Sequence, residues 1–152
     1  MKTLQDTTAL SEVLERVERI QPDARALWGR MSAHEMLCHL CDSFRLGLGE
    51  RQASPKTSPF QRTVVKWAAL YVPVQWPKGV PTRPEMEQGR GGTPPAEFTR
   101  DKSELDAIIR RFSAPGTRFD AISHPMFGRM KDSEWLRWGY LHADHHLRQF
   151  GA

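Results

Sequence analysis

Two histidines four residues apart near the end of the chain are the side chains best placed to do chemistry. His142 and His146 lie in a stretch, Asp132–Phe150, whose pattern predicts a helix. Because four residues make about one helical turn, the two imidazoles share a face and can converge on one metal ion. At about 100° per residue, His145 lies on the flank of that face and Asp144 points almost the opposite way. The spacing therefore predicts that both imidazoles lie on the core-facing side of the last helix, where they could bind one ion.

A third ligand is needed before this pair indicates a metal site. His39 stands in another apolar, helical stretch, Met31–Leu48, and a bound ion needs at least three protein ligands or tightly held waters. Two interpretations are open. In one, His39, His142 and His146 bind the same ion. In the other, the paired histidines are polar residues at the edge of a core, each satisfied by a backbone carbonyl or a carboxylate.

The helix that carries His39 has a clear start in the sequence. Ser32 followed by Glu35 forms a capping box, and apolar residues recur after it at helical spacing. His39 falls at the border of the apolar side, where a histidine can also face water. We expect His34 to be exposed, about 140° around the helix from His39.

The rest of the chain predicts an all-α domain. Charged residues fill the outer faces of two further amphipathic segments, and a third segment after Pro59 is apolar enough for a helix. No alternating strand pattern is evident. Residues 73–98 form a long crossover with six prolines and four glycines in Pro73–Pro95, which predicts ordered but irregular structure. The predicted helices outside the ligand-bearing stretches are Thr7–Ile20, Phe60–Val72 and Asp101–Phe112.

Length and composition limit the class of protein. The 152 residues fit one domain, 1–152, large enough to fold without a metal or a disulfide. The net charge is +4, but acidic and basic residues are interleaved in the predicted helices, so no nucleic-acid partner is expected. No leader pattern and no long apolar run occurs, so we expect a cytoplasmic protein without a membrane partner. We interpret Cys38 and Cys41 as reduced thiols within a helix, with metal ligation by one of them as the second alternative.

Other candidate residues carry weaker signals. His124, before Pro125, is interpreted as a turn residue and not as a ligand. Trp135 and Trp138 are expected in the core, with a pocket wall as the alternative. The crossover could cover one end of a bundle or supply Trp76 to a pocket wall, and a mobile surface linker is the equal alternative.

Three motifs together resemble a known family. They run from Trp28 to His39 (Trp-Gly-Arg-Met-Ser-Ala-His-Glu-Met-Leu-Cys-His), from His124 to Gly128 (His-Pro-Met-Phe-Gly) and from His142 to Gly151 (His-Ala-Asp-His-His-Leu-Arg-Gln-Phe-Gly). This combination resembles the DinB-like superfamily, in a branch of uncharacterised function whose last helix ends His-His-Leu-Arg-Gln-Phe-Gly.

The resemblance implies a four-helix bundle, with the short helix and the crossover as additions. It also implies a metal bound by one histidine of the second helix and two of the last, here His39, His142 and His146. Zinc and nickel are the ions expected. Better-characterised members have Arg-Gly-Gln after the histidine pair, whereas this chain has Leu147-Arg148-Gln149, and this departure puts their substrates in doubt here.

The function implied is a metal-dependent transferase that uses a metal-bound thiolate, from a low-molecular-weight thiol, on a small electrophile. Peptide hydrolysis is not expected, because Asp144 faces away and the last helix lacks the glutamate of the His-Glu-x-x-His pattern. The alternative is a non-catalytic metal-binding or stress-response bundle protein. A symmetric homodimer is a further expectation, common in that superfamily and compatible with an apolar patch beside the crossover.

Overall fold

A computed structural model describes residues 1–119 and 121–152, and within them the chain is mostly helical. The described residues form five α-helices, one π-helical turn (Gln61–Val65), one 3-10 turn (Pro84–Met86) and two strands of two residues each. The helices are α1 (Thr7–Arg19), α2 (Ala33–Gly47), α3 (Lys66–Tyr71), α4 (Phe98–Ser113) and α5 (Asp132–Gln149), and the strands are β1 (Ser123–His124) and β2 (Gly128–Arg129).

The four long helices form the body of the fold. Helix α1 packs against α4 and α5, and α2 packs against the same two helices, so the four make a closed ring of contacts. Each long helix turns its apolar side inward because burying that stripe removes it from water. The prediction of an all-α fold is confirmed at this level.

Helix starts follow the local signals. Asp6 accepts hydrogen bonds from the N–H groups of Thr8 and Ala9 and caps α1. The predicted capping box of α2 is present, because Ser32 accepts from the Glu35 N–H and the Glu35 carboxylate accepts from the Ser32 N–H.

Aromatic rings fill the centre of the ring of helices. Phe44 of α2 and Phe112 of α4 lie with ring centroids 4.9 Å apart, and Trp135 of α5 is fully buried. Gly47 permits this packing, since a Cβ there would lie 2.5 Å from Cε2 of Phe112. The core therefore fixes the relative positions of α2 and α5, the two helices that carry the predicted ligands.

Four features differ from the sequence prediction. The segment predicted as one helix over Phe60–Val72 contains the π-helical turn before α3. The crossover contains the 3-10 turn, and α4 begins at Phe98, three residues before the predicted start. Strands β1 and β2 pair as a small antiparallel hairpin that was not predicted. Among the described residues, none of the helices is long and apolar enough to cross a bilayer.

Candidate metal centre

The three predicted ligands come together between α2 and α5. His39, His142 and His146 each offer a ligand atom, and these atoms lie within 4.8 Å of one another. The Nε2 atoms of His39 and His142 are 3.3 Å apart. His39 is buried, so the border position inferred from sequence faces the site and not the solvent. The fold thus brings together all three histidines that sequence reasoning selected.

The tautomer of His39 is fixed by the crossover. Its Nδ1 lies 3.0 Å from the carbonyl oxygen of Met86, in the 3-10 turn. A carbonyl can only accept, so Nδ1 carries the proton, and the neutral ring presents its Nε2 lone pair to the other two histidines.

The tautomer of His146 is fixed by a relay of two hydrogen bonds. The Gln149 side-chain N–H₂ donates to the Trp28 carbonyl at 2.7 Å, which fixes the orientation of the amide. The amide oxygen therefore faces His146, whose Nδ1 donates to it at 2.9 Å. Gly29, with φ +83°, makes room, because a Cβ there would lie 2.6 Å from the Gln149 nitrogen. His146 is left with its Nε2 free to bind an ion.

His142 is the member without an assigned partner outside the cluster. Its Nδ1 is buried and has no hydrogen-bond partner among the described residues, while its Nε2 faces His39. Two nitrogens bound to one tetrahedral zinc ion at about 2.0 to 2.1 Å are about 3.3 to 3.4 Å apart. The observed separation of 3.3 Å between the two Nε2 atoms matches that requirement. The donor set therefore fits a divalent ion that takes imidazole ligands, such as zinc or nickel.

Burial keeps these imidazoles neutral. It lowers the pKa of His39, against a smaller opposing effect of the Met86 carbonyl. It lowers the pKa values of His142 and His146 well below the usual range, and the neighbouring histidines lower them further. A neutral imidazole is the form that binds a metal, so the site is prepared for an ion without first losing protons.

An aromatic wall surrounds the cluster. The ring of Trp138 lies 4.8 Å from that of His142, and the ring of Trp76 lies 6.1 Å from it, centroid to centroid. Trp76 is held in place because its indole N–H donates to the Ala69 carbonyl at 2.8 Å. The crossover residue proposed as a wall therefore lies at the site, and Trp138 is both core and wall.

Asp144 lies away from the cluster, as its helical position predicts. Arg16 donates to its carboxylate at 2.8 Å and Arg148 does so at 2.9 Å. His145 occupies the flank, with its ring 5.9 Å from that of Trp28. Neither side chain joins the three-histidine group.

A second group of possible ligands lies elsewhere on α2. His34, Cys38 and Asp101 also bring ligand atoms within 4.8 Å of one another. The expectation that His34 is exposed is wrong, because its Nε2 lies 2.8 Å from Asp101 and its side chain is only 22% exposed. The one-helix projection could not include α4, which supplies the carboxylate.

The second group is already satisfied by hydrogen bonds. Besides His34, the Asp101 carboxylate accepts from the Ala96 N–H at 2.9 Å and from the Arg100 guanidinium. Burial acts to raise the pKa of Asp101, but these donors outweigh it and lower the pKa to about 2. Burial and nearby carboxylates raise the pKa of Cys38 to about 12, so the thiol stays protonated. This group is a polar link between α2 and α4.

His124 is a turn residue, as predicted. Its Nδ1 accepts hydrogen bonds from the N–H groups of Met126 and Phe127 at 3.2 and 3.1 Å. Burial lowers its pKa to about 3, and its ring stacks on that of Phe127 with centroids 4.6 Å apart. It therefore closes the β1–β2 hairpin and is not a ligand.

Sequence reasoning missed two groups that orient the ligands. The Met86 carbonyl is a backbone group in an irregular segment, and no side-chain pattern predicts its role. Gln149 did carry a signal, since it follows His146 by three residues and so falls on the same helical face.

The fold and the site define a helical protein with a buried three-histidine centre. The chain belongs to the family described as "Protein of unknown function (DUF1569)", whose model matches residues 2–152. No curated protein and no solved structure matches the chain significantly.

Proposed function

We propose that His39, His142 and His146 bind one divalent ion, zinc or nickel, in a protein of the DinB-like type. The observation that carries this proposal is the fixed tautomer of two ligands. Met86 and Gln149 each hold a proton on the outer Nδ1 of a histidine, so both inner Nε2 atoms offer lone pairs. Hydrogen bonds of this kind to the outer nitrogen are typical partners of metal-binding histidines.

We further propose that the site is a transferase centre for a low-molecular-weight thiol and a small electrophile. An ion held by three imidazoles would supply Lewis acidity and lower the pKa of a bound thiol or water. The protein would keep the three histidine ligands neutral by burying them. The rings of Trp76 and Trp138 would limit the access of water to the ion. Asp144 is engaged by Arg16 and Arg148, so it does not serve as a base, and a reaction that needs no protein carboxylate suits the site.

The second candidate is a non-catalytic metal-binding or stress-response protein. Its supporting observation is burial, since His39 is 5% exposed and His146 is 8% exposed. An enclosed site can retain an ion without admitting a substrate, so burial is compatible with a protein that only binds the metal. The two candidates share the ion and differ in the need for substrate access.

The ion is tested by elemental analysis of untagged protein and by thermal unfolding. With free metal a hundredfold above Kd, binding to the folded state stabilises it by about 2.7 kcal/mol, or several degrees in Tm. We expect zinc or nickel to raise Tm in the wild type and in His145→Ala, the neighbouring control. His142→Ala should show no increase. An equal increase in all three proteins would place the ion elsewhere.

Turnover separates the two candidates once the ion is established. Model electrophiles are tested with a panel of cellular thiols, with and without a chelator. Consumption of thiol that requires metal and is lost in His142→Ala supports the transferase. A metal-loaded protein without turnover across the panel supports the binding protein.

A further inference from the structure

Positive charge is concentrated in one part of the chain. Residues 51–84 contain six lysines and arginines and no aspartate or glutamate. The whole chain has a net charge of only +4. The charge of this segment is larger than that total, so the rest of the chain has a small net negative charge. Acidic and basic residues are interleaved in α1 and α4 but not here. Carboxylates of other elements neutralise Arg51 and Lys66, and the remaining cations of the segment are available to attract anions.

The same segment exposes most of the large apolar side chains left in solvent. Phe60, Val64, Trp67 and Tyr71 are spaced by four, three and four residues through the π-helical turn and α3, which places them along one side of the helix. Phe60 is 62% exposed and Trp67 is 60% exposed. Val74 and Val80 extend the exposed group beyond α3. We name these six residues the apolar face.

The apolar face is held by the fold. On the inner side of α3, Leu70 is fully buried, and its carbonyl accepts from the Arg137 guanidinium at 3.1 Å. Lys66 pairs with Glu134 at 3.1 Å. The helix is therefore anchored to α5 while its outer side is left uncovered, and an uncovered patch of this kind marks an interaction site.

The segment that carries this face also has cations without an acidic partner in the described part of the chain. Lys56, Arg62 and Lys78 have no carboxylate within 4.0 Å among the residues that the structure describes. Lys78 instead lies 4.4 Å above the ring of Trp28. Exposed lysines and arginines beside tryptophan and phenylalanine are the composition of a helix that lies in the headgroup region of a membrane.

We propose that the apolar face docks on the surface of an anionic lipid bilayer. Phe60 and Trp67 would enter the boundary between headgroups and acyl chains, while Lys56, Arg62 and Lys78 would bind lipid phosphates and carboxylates. A second copy of this chain fits the face less well, because the cations Lys56, Arg62 and Lys78 in the two copies would repel each other. Nucleic acid also fits less well, since the valines offer nothing to phosphates or bases. The inference revises the expectation of no membrane partner and does not depend on the metal.

Co-sedimentation of the full chain with vesicles tests this inference. One set is phosphatidylcholine alone, and the other contains roughly 30 mol% phosphatidylserine. We expect binding to the anionic set only, weakened as salt rises. Phe60→Ser with Trp67→Ser should weaken binding by roughly tenfold or more. Leu27→Ser, at a residue 70% exposed elsewhere, is the matched control and should bind like wild type.

A charge pair completes the test. Arg62→Gln should weaken binding, and Arg19→Gln, on α1 with a side chain 68% exposed, should not. Absence of binding to either vesicle set overturns the proposal. So does binding that depends on Arg62 but not on Phe60 and Trp67, which would be adsorption by charge alone. A dimer in sedimentation velocity that Trp67→Ser dissociates would assign the face to a second copy instead.

Discussion

Helix α2 contributes to two groups of possible metal ligands that differ in where their hydrogen bonds go. In both groups, three ligand atoms lie within 4.8 Å of one another. Around His39, the outer nitrogens of His39 and His146 donate hydrogen bonds to other parts of the chain. The outer nitrogen of His142 has no partner among the described residues, and the inner nitrogens of His39 and His142 face each other at 3.3 Å. Around Asp101, donors from His34, Ala96 and Arg100 are directed at the carboxylate itself.

If the first group binds an ion and the second does not, proximity of ligand atoms alone does not define a metal site. A group whose lone pairs are already used by internal donors has little to offer an ion, and it contributes to stability instead. A group whose inner nitrogens accept no hydrogen bond from outside the group can still offer their lone pairs to an ion. The following predictions test whether the two groups are separable in this way.

The largest expected effect is on stability, at the second group. Asp101→Ala leaves the part-buried Ala96 N–H and the His34 ring without their acceptor and should lower the free energy of unfolding by about 3 kcal/mol. Urea denaturation measures this loss. Zinc binding by the same variant should equal that of the wild type. A variant of normal stability that has lost zinc binding would reverse the assigned roles.

A smaller effect is on the pH dependence of the free energy of unfolding. Buried imidazoles and the Asp101 carboxylate lose their contributions to stability in different pH ranges. The pKa of His124 is lowered by burial to about 3, so below pH 6.5 the unfolded chain takes up a proton that the folded chain refuses. Stability is therefore full above pH 6.5 and falls with pH, by about 2 kcal/mol at pH 5 for this one group. Asp101, with a pKa of about 2, loses its contribution only below about pH 4.

The variant that tests this window is His124→Asn. An asparagine oxygen can still accept from the Met126 and Phe127 N–H groups, but it does not titrate. Urea denaturation at pH 7.5 and pH 5 should show a decrease smaller by about 2 kcal/mol than in wild type. Asp101→Asn should leave the decrease unchanged. If the asparagine at position 124 makes no difference to the decrease, His124 is not held neutral in the folded protein.

The smallest expected effect is on metal affinity, through Gln149. Gln149→Met removes the acceptor that fixes the tautomer of His146, so zinc affinity should fall about tenfold, or about 1.4 kcal/mol. Arg148→Met, which changes a residue bound to Asp144, is the control. Calorimetric titration compares the two proteins. Equal affinities would show that the relay from Trp28 through Gln149 does not prepare the site.

The ligand-bearing helices could be predicted because their signals are local. The capping box of Ser32 and Glu35 sets the start of α2, and the four-residue spacing of His142 and His146 needs only helical geometry. The exposure of His34 could not be predicted in this way, because its partner Asp101 lies 67 residues later on another helix.

The contacts made by the irregular segments could not be predicted, for a different physical reason. Met86 contributes through its carbonyl, which every residue type has, so nothing in the residue names marks it. The β1–β2 hairpin rests on a side chain that accepts from the backbone, His124 to Met126 and Phe127, and two-residue strands are too short for alternation to appear. The spacing of apolar residues therefore predicted the long helices, but not the crossover contacts that orient the ligands.

X-ray absorption spectroscopy of the zinc-loaded protein tests the central claim most directly, because it distinguishes nitrogen from sulfur ligands. The three-histidine group predicts nitrogen or oxygen neighbours at about 2.0 to 2.1 Å, including three imidazoles, and no sulfur. His142→Ala should lower the imidazole count or leave no bound zinc. A sulfur neighbour at about 2.3 Å would instead place the ion at Cys38 or Cys41 and contradict the account.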